Sequence, residues 1–287
     1  MIFSWMEMHH STFSVKGMCN FFDVSRSGFY EWLSRPESGR AIEEKKIVKE
    51  IKMIHEETHG TYGSPRMTVE LNSRGQSISK NRVERIMRKY DISTEKPRIF
   101  RVRTTDSNHD LPVASNLLDR DFSVGTLNHA WVSDLTYIET TEGFAYLTLF
   151  HDLGNREPVG WHLSANMATE GVLQALQMAV SRRKPPAGLI IHSDRGSQYA
   201  SALFREYLND YNFVQSMSRK GNCWDNAVAE SFFHSLKTEC LYRLNKIPTL
   251  EELRKILFDY IEVFYIRKRR HSSLGYLSPM EYAKQLA

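Results

Sequence analysis

Apolar residues recur with helical spacing through the first third of the chain and pass into strand-like runs near residue 129. Val15, Met18, Cys19 and Phe22 fall at i, i+3, i+4 and i+7, and after the polar turn Asp23-Val24-Ser25 a second amphipathic run holds Phe29, Trp32 and Leu33. Pro36 ends it, so the pattern predicts helix, turn, helix. A longer helix follows from about Ile42 to His55, with Ile47, Val48, Ile51 and Ile54 on one face. Beyond Gly60-Thr61-Tyr62-Gly63-Ser64-Pro65 come a helix holding Met67 and Leu71, a break at Gly75, and a helix from about Ser79 to Tyr90. Val83, Ile86, Met87 and Tyr90 form the buried stripe expected of this last helix. Its other faces carry Lys80, Asn81, Arg82, Arg85, Arg88 and Lys89, the layout of a recognition helix whose cations reach phosphates and whose Asn and Arg can read base edges.

Periodicity is lost from Thr94 to about Asn128, where Lys96, Arg98, Arg101 and Arg103 suggest a basic linker able to track DNA. Three short runs rich in β-branched and aromatic residues follow: Trp131 to Glu139, Phe144 to Asp152 and Pro158 to Ser164. Then come a helix from Thr169 to Arg182, a strand from Gly188 to Ser193, a helix from Ser201 to Asn209, a strand from Phe213 to Met217, and a long helix from Trp224 to Leu241. A last long helix from Leu250 to about Arg269 and a short one complete the chain. A three-strand meander followed by alternating elements is the order of an RNase H-like α/β domain. The division expected is 1–93 as a helix-turn-helix region, 94–125 as a basic linker, and 126–287 as an RNase H-like α/β domain with C-terminal helices.

Charge sharpens that division. Residues 1–105 hold 19 Lys and Arg against 13 Asp and Glu, whereas the remainder holds 19 against 21. A basic half joined to a slightly acidic one suggests a nucleic-acid-binding module attached to something else, although a solvated basic face has the same composition. No stretch approaches the roughly 18 consecutive apolar residues of a membrane span, and the N-terminus lacks a secretory signal pattern. Three cysteines, Cys19, Cys223 and Cys240, suit free thiols in a reducing cytosol.

Candidate chemistry lies in carboxylates. Asp134 falls in the first strand, Asp194 ends the apolar strand Leu189-Ile190-Ile191-His192-Ser193, and Glu230 lies in the helix after Trp224. Such acids, converging from separate elements, can hold two divalent cations about 4 Å apart for phosphodiester chemistry. Asp194 and Glu230 enclose 35 residues. That spacing is weak alone, since an acid at a chosen offset arises by chance about one time in eight in an ordinary globular composition.

The flanking residues are more specific. His192-Ser193-Asp194-Arg195-Gly196-Ser197-Gln198-Tyr199 and Cys223-Trp224-Asp225-Asn226-Ala227-Val228-Ala229-Glu230-Ser231-Phe232-Phe233, then Leu236-Lys237-Thr238-Glu239, resemble the hallmark blocks of bacterial insertion-sequence transposases with an integrase-like DDE core. Trp131 with Asp134-Leu135-Thr136-Tyr137-Ile138, Tyr62-Gly63-Ser64-Pro65-Arg66 and the tail Arg269 to Pro279 extend the resemblance over nearly the whole chain from Met18.

The resemblance implies that Asp134, Asp194 and Glu230 are catalytic metal ligands for two Mg²⁺ ions, with Mn²⁺ as a substitute. It implies cleavage at insertion-sequence ends, transfer of the freed 3′-hydroxyl to target DNA, and action as a homo-multimer on DNA in the bacterial cytoplasm at the nucleoid. This chain resembles a second-reading-frame product, so a first-frame product, often a frameshift fusion, is an expected partner.

On the helix bearing Glu230, Asn226, His234 and Lys237 share its face and are candidates for DNA contact. Arg267, Lys268, Arg269 and Arg270 form a basic cluster from which Arg269 and Arg270 are expected on DNA. His192 is expected to serve hydrogen bonding within the domain. His55 and His59 lack a following Cys-x-x-Cys pair, so no zinc site is expected. A hydrolytic nuclease and an inactive DNA-binding remnant are the competing readings; the helix-turn-helix pattern argues against the first and the three intact acids against the second.

Overall fold

A computed structural model describes residues 2–94, 111–122, 125–220 and 223–286. Lys96, Arg98, Arg101 and Arg103 of the expected basic linker lie outside them.

The N-terminal helices are α1 (Ile2–His9), α2 (Val15–Phe22), α3 (Arg26–Ser34), α4 (Gly39–Glu57), α5 (Ser64–Ser73) and α6 (Lys80–Lys89). Local chemistry sets their starts. The hydroxyls of Ser14, Ser25, Ser38 and Ser79 each accept a hydrogen bond from the backbone N–H three residues on, satisfying a donor that the first helical turn leaves unpaired. Asp23, in the left-handed conformation at φ 52°, turns the chain between α2 and α3. Helix α1, which periodicity did not announce, supplies Met6 to a small core with Met18, Cys19 and Phe29, so α1–α3 pack on one another.

The catalytic half contains β1 (Ala130–Thr140), β2 (Gly143–Asp152), β3 (Glu157–Ser164), α7 (Thr169–Arg183), β4 (Ile190–Ser193), the single turn α8 (Ser197–Ala200), α9 (Ala202–Asp210), β5 (Val214–Met217), α10 (Ala227–Glu239), α11 (Leu250–Phe258) and α12 (Pro279–Leu286). The sheet order is β3-β2-β1-β4-β5. The first three strands form an antiparallel meander, and β4 and β5 add in parallel beside β1. This is the RNase H-like arrangement, preceded by an all-helical region. Both faces of the sheet are covered, which is why β1 reads Ala-Trp-Val rather than alternating with polar residues. Trp131, Phe150, Val159 and Ile191 pack against Val172 and Leu176 of α7 and Phe204 of α9. Gly160 permits that approach, since a Cβ there would lie 2.3 Å from the Ala175 carbonyl oxygen.

The opposite face departs from a picture of separate domains. Leu147, Leu149, Trp161 and Leu163 share one continuous core with Phe232 and Leu236 of α10, Leu253 and Leu257 of α11, and Ile51, Ile54, Met67, Leu71, Val83 and Ile86 of α4–α6. Polar ties reinforce it: the Tyr62 hydroxyl donates to the Lys268 carbonyl at 3.1 Å and accepts from Arg270 N–H at 2.8 Å. Residues 111–122, expected within the linker, are also laid on the catalytic half. Leu118 packs with Ala130, Val132 and Ala229, and Leu117 N–H donates to the Ser216 hydroxyl at 2.9 Å.

Three elements differ from their expected form. The long helix from Trp224 opens as a 3-10 turn over Cys223–Asn226 before α10 begins. Helix α9 is preceded by the turn α8. Helix α11 widens into π-helical turns over Asp259–Tyr265, where Tyr260, Ile261, Phe264 and Tyr265 are all buried, a broader apolar face than regular helical spacing presents.

Candidate active site

Strand register brings the first two acids together. Val132 of β1 pairs in parallel with His192 of β4, so two residues further on Asp134 stands beside Asp194 as the chain leaves β4. Each carboxylate accepts a nearby backbone N–H, Leu135 to Asp134 and Gly196 to Asp194, both at 2.9 Å. The third acid arrives on the first turn of α10, which is fixed in two ways. Ala229 is fully buried against Ala130 and Val132, and Asn226 Nδ2 donates to the Ser133 carbonyl at 3.1 Å.

Electrostatics reports their convergence. Burial, then the charge of Asp194, then that of Glu230 hold the Asp134 carboxyl well above the usual carboxylate range, against the Leu135 N–H and Lys237, which pull it down. Burial and Asp194 likewise raise Glu230. The same field reaches Tyr199, whose phenol is raised by burial and by Asp194 and Asp134, and whose oxygen lies 2.8 Å from the Ser133 hydroxyl. Glu230 is exposed, and among the described residues no group of three or more His, Cys, Asp or Glu side chains is drawn tightly enough to hold a metal ion.

Of the candidates around this centre, Lys237 is half-buried. Its ammonium lies 5.7 Å from the Tyr137 ring centroid, and burial lowers its proton affinity while Asp134 opposes that shift. His234 is exposed on the same helix. His192 is committed elsewhere: its ring nitrogens lie 2.8 Å from the Ser216 hydroxyl and 3.1 Å from that of Ser218, and burial pushes its pKa down to about 4.

Three of the expected DNA contacts are engaged within the protein. Asn226 is buried in the turn before α10, spent on the Ser133 carbonyl rather than turned outward. Arg269 is buried, its guanidinium closing a two-point bond on Glu239 at 2.7 Å for each contact. Arg270 is held by Glu70 at 2.6 Å and by the Ser73 hydroxyl at 2.9 Å. Their exposed neighbours are Arg267 and Lys268. On α6, Lys80, Asn81, Arg85 and Arg88 are exposed, whereas Arg82 pairs with Glu43 at 2.9 Å and Lys89 with Glu44, both from α4. Arg88 pairs within α6 with Glu84 at 3.0 Å. Tyr90 is 37% exposed and ends the helix instead of completing the buried stripe.

One constellation escaped sequence reading. Asp225, fully buried, accepts from Arg219 at Nε (2.9 Å), Nη2 (2.8 Å) and the backbone N–H (3.0 Å), from Arg120 Nε at 3.0 Å and from Asn116 Nδ2 at 3.1 Å. The Arg219 bonds outweigh desolvation and hold its carboxyl far below the ordinary range. Local pattern could not reveal it, because Asn116 and Arg120 lie more than a hundred positions from Asp225.

Sheet order, crossovers and acids at adjoining strands together define an integrase-type core. Residues 127–223 and 230–286 match models of the integrase core domain, and residues 42–99 match an HTH-like domain. The chain is 42% identical over 270 residues to the uncharacterised 31 kDa protein of insertion element IS600 from Shigella sonnei, covering 93% of this chain and 98% of that protein. It is 39% identical over 284 residues to transposase InsF for insertion sequence IS3A of Escherichia coli K12, covering 98% of each. Among solved structures it resembles a chain of a simian T-cell lymphotropic virus intasome complex, with TM-score 0.47 and 15% identity over 81% of this chain and 73% of that one. It also resembles the HTLV-2 integrase catalytic core domain in complex with magnesium, with TM-score 0.41 and 16% identity over 54% of this chain and 95% of that one. The chain belongs to the transposase family of insertion sequence IS3, and it is an enzyme of the DDE transposase and integrase class. No helix of the described residues is long and apolar enough to cross a membrane.

Proposed function

We propose that Asp134, Asp194 and Glu230 are the catalytic acids, and that the chain uses them to cut the ends of its insertion sequence and join the freed 3′-hydroxyl to target DNA. The observation that carries this reading is the parallel register of β1 and β4 at the centre of the sheet, which sets Asp134 beside Asp194, and the charge of Asp194 helps to raise both Asp134 and Glu230. The donor set fits a hard divalent cation. It is all oxygen, and the imidazole of His192, two residues before Asp194, is bonded to two serines. Two Mg²⁺ ions, replaceable by Mn²⁺, would be held by these three residues, with the exposed Glu230 side chain completing the set by turning inward. Bound there, the ions supply activation of the attacking hydroxyl and charge stabilisation of the leaving oxygen. Lys237, half-buried and facing Asp134, steadies a phosphate beside the acids, and His234 contacts the backbone one turn further out.

The helical region supplies recognition. We assign DNA contact on α6 to Lys80, Asn81, Arg85 and Arg88, with Arg82 and Lys89 available on release from Glu43 and Glu44. Functionally the chain divides into a DNA-binding part before residue 94 and a catalytic part that begins near residue 111, ahead of the expected boundary at 126. The partners proposed are insertion-sequence end DNA, target DNA, further copies of this chain and a first-frame product, with action at the bacterial nucleoid.

The test is cleavage and joining of DNA carrying the element's own ends, in Mg²⁺ and in Ca²⁺, by the wild-type chain, its first-frame fusion and the Glu230→Gln variants of both. Joined products that require Mg²⁺ and vanish with Glu230→Gln are expected. Hydrolysis without joining would identify a nuclease instead, and binding without cleavage a DNA-binding remnant. For recognition, Lys80→Ala with Arg85→Ala is expected to flatten the log–log salt dependence of end binding by about 0.9 per lost phosphate contact. Arg270→Ala, already bonded within the protein, is expected to leave that slope unchanged, as measured by fluorescence anisotropy.

A further inference from the structure

The turn that leads into α10 holds a side chain that neither the fold nor the acids account for. Trp224 is 69% exposed, yet its successors Asp225 and Asn226 are 1% and 4% exposed. Laxity does not explain the exposure, because the two residues that follow are bonded at several points. Asp225 is gripped by Arg219, Arg120 and Asn116, which tie it to the exit of β5 and to residues 111–122. Asn226 is bonded to the carbonyl of Ser133, the residue before Asp134. A rigid base therefore presents a bare indole six positions ahead of Glu230.

The surroundings are those of a nucleic-acid contact. Arg120 and Arg219 keep 48% and 47% of their side chains exposed despite their bonds to Asp225, the residue after Trp224, and although Arg219 also pairs with Asp119 at 3.1 Å, so cationic side chains reach the surface from the same bonded turn. Every base has a π-face, and stacking on an aromatic side chain is tolerant of sequence. A base at the very end of a duplex has a neighbour on one side only, so it is the least costly to take out of the stack.

We propose that Trp224 is a substrate-contact residue: it receives a nucleobase from the reactive end of the DNA, stacks on it, and holds the terminal nucleotide out of the duplex so that the adjoining phosphodiester reaches the acids. The inference rests on the assignment of Asp134, Asp194 and Glu230. Arg120, Arg219 and Asn116 are positioning residues, acting through Asp225 to fix the indole. An exposed flat π-surface on the turn that leads to the third acid selects an unpaired nucleotide over an intact duplex stack.

The experiment compares the full chain with Trp224→Ala and Trp224→Phe on two forms of the element-end duplex, one fully paired and one with the terminal pair mismatched. On the paired end Trp224→Ala is expected to lower cleavage and joining by about five- to a hundredfold, the worth of one base–aromatic stack, while Trp224→Phe stays within about threefold of wild type. On the mismatched end, where unpairing is already done, Trp224→Ala is expected to recover most of its loss. A binding readout in Ca²⁺ accompanies this: 2-aminopurine at the terminal position should change its fluorescence with wild type and Trp224→Phe but not with Trp224→Ala. The proposal is overturned by full activity of Trp224→Ala on the paired end, by an equal loss on both ends, or by Trp224→Phe failing as badly as Trp224→Ala. An altered oligomeric state of Trp224→Ala with an unchanged 2-aminopurine signal also overturns it and identifies a contact between protein chains. If Glu230→Gln kept joining activity, the assignment of the acids would fall, whereas the Ca²⁺ fluorescence would still report on Trp224.

Discussion

Replacing Asp134 by asparagine is expected to lower strand transfer by about 10³-fold or more, and at the same time to stabilise the metal-free protein. The first effect follows from removing a ligand charge from a centre worth several kcal/mol to the transition state, each 1.4 kcal/mol being about tenfold in rate. The second follows from the field that this carboxylate endures. Burial and the charges of Asp194 and Glu230 raise its folded-state proton affinity, so ionising it costs the folded chain more than the unfolded one. A raised carboxyl confers its full stability below the unfolded-state value, near 3.9, and loses it as pH climbs through the folded value. Metal-free wild type should therefore lose melting temperature over that climb, with Glu230 contributing in the same sense. Asparagine removes the Asp134 part of the fall, yet its amide oxygen can still accept the Leu135 N–H that Asp134 now binds. Thermal unfolding in EDTA from pH 4 to 8, beside a joining assay, measures both effects. A variant that is inactive but no more stable than wild type at pH 7 would show that the acids do not repel one another in the folded chain.

Much of this site was legible before any coordinates. Asp134 lies in a β-branched and aromatic run and Asp194 just past a short apolar one, and these runs form the paired β1 and β4. What pattern could not supply was every feature decided by a distant partner. Whether an arginine faces DNA or Glu239 depends on a helix thirty residues away, so Arg269 and Arg270 read no differently from the exposed Arg267 and Lys268. Similarly, the stripe of α6 ran true through Val83, Ile86 and Met87, where neighbours from α4 and α5 close over it, and failed at Tyr90, where the helix ends and that cover runs out. The packing of residues 111–122, expected in the linker, was hidden for the same reason. Residues 111–122 lack periodicity, but Leu118 and Arg120 find partners in Ala229 and Asp225, which follow about a hundred residues later. Helical spacing likewise announces a helix from Leu250 onward without distinguishing α from π turns, a choice made by how many of Tyr260, Ile261, Phe264 and Tyr265 the core can take.

Arg269→Ala is expected to cost about 3–5 kcal/mol of stability, the loss typical of breaking a buried ion pair from one side. The side chains of Arg269 and Glu239 are 5% and 12% exposed. Glu239 also receives the Tyr260 hydroxyl at 3.0 Å and Arg66 at 3.3 Å, so this carboxylate ties the end of α10 to the C-terminal helices and to the start of α5. Burial, the largest single influence, would raise the Glu239 carboxyl, but Arg269, Arg66 and the Tyr260 hydroxyl together outweigh it and the net shift is downward. A depressed carboxyl lends stability above its unfolded-state pKa, near 4.3, and loses it as pH falls through the folded value. The deficit of Arg269→Ala should therefore be widest near neutral pH and narrow in acid, where protonating Glu239 relieves the unpaired charge. Urea unfolding at pH 7 and pH 4.5 measures this, with the exposed Arg267→Ala expected within about 0.5 kcal/mol of wild type. Replacing both partners, Arg269→Met with Glu239→Met, should recover part of the loss, since no buried charge is then stranded. A small stability change in Arg269→Ala, coupled to a flatter salt dependence of DNA binding, would instead return this arginine to the DNA surface. Because Glu239 ends the helix that begins beside Glu230, the buried pair also sets where the third acid stands, so whatever activity the folded fraction of Arg269→Ala retains will measure how far that helix is positioned from its far end.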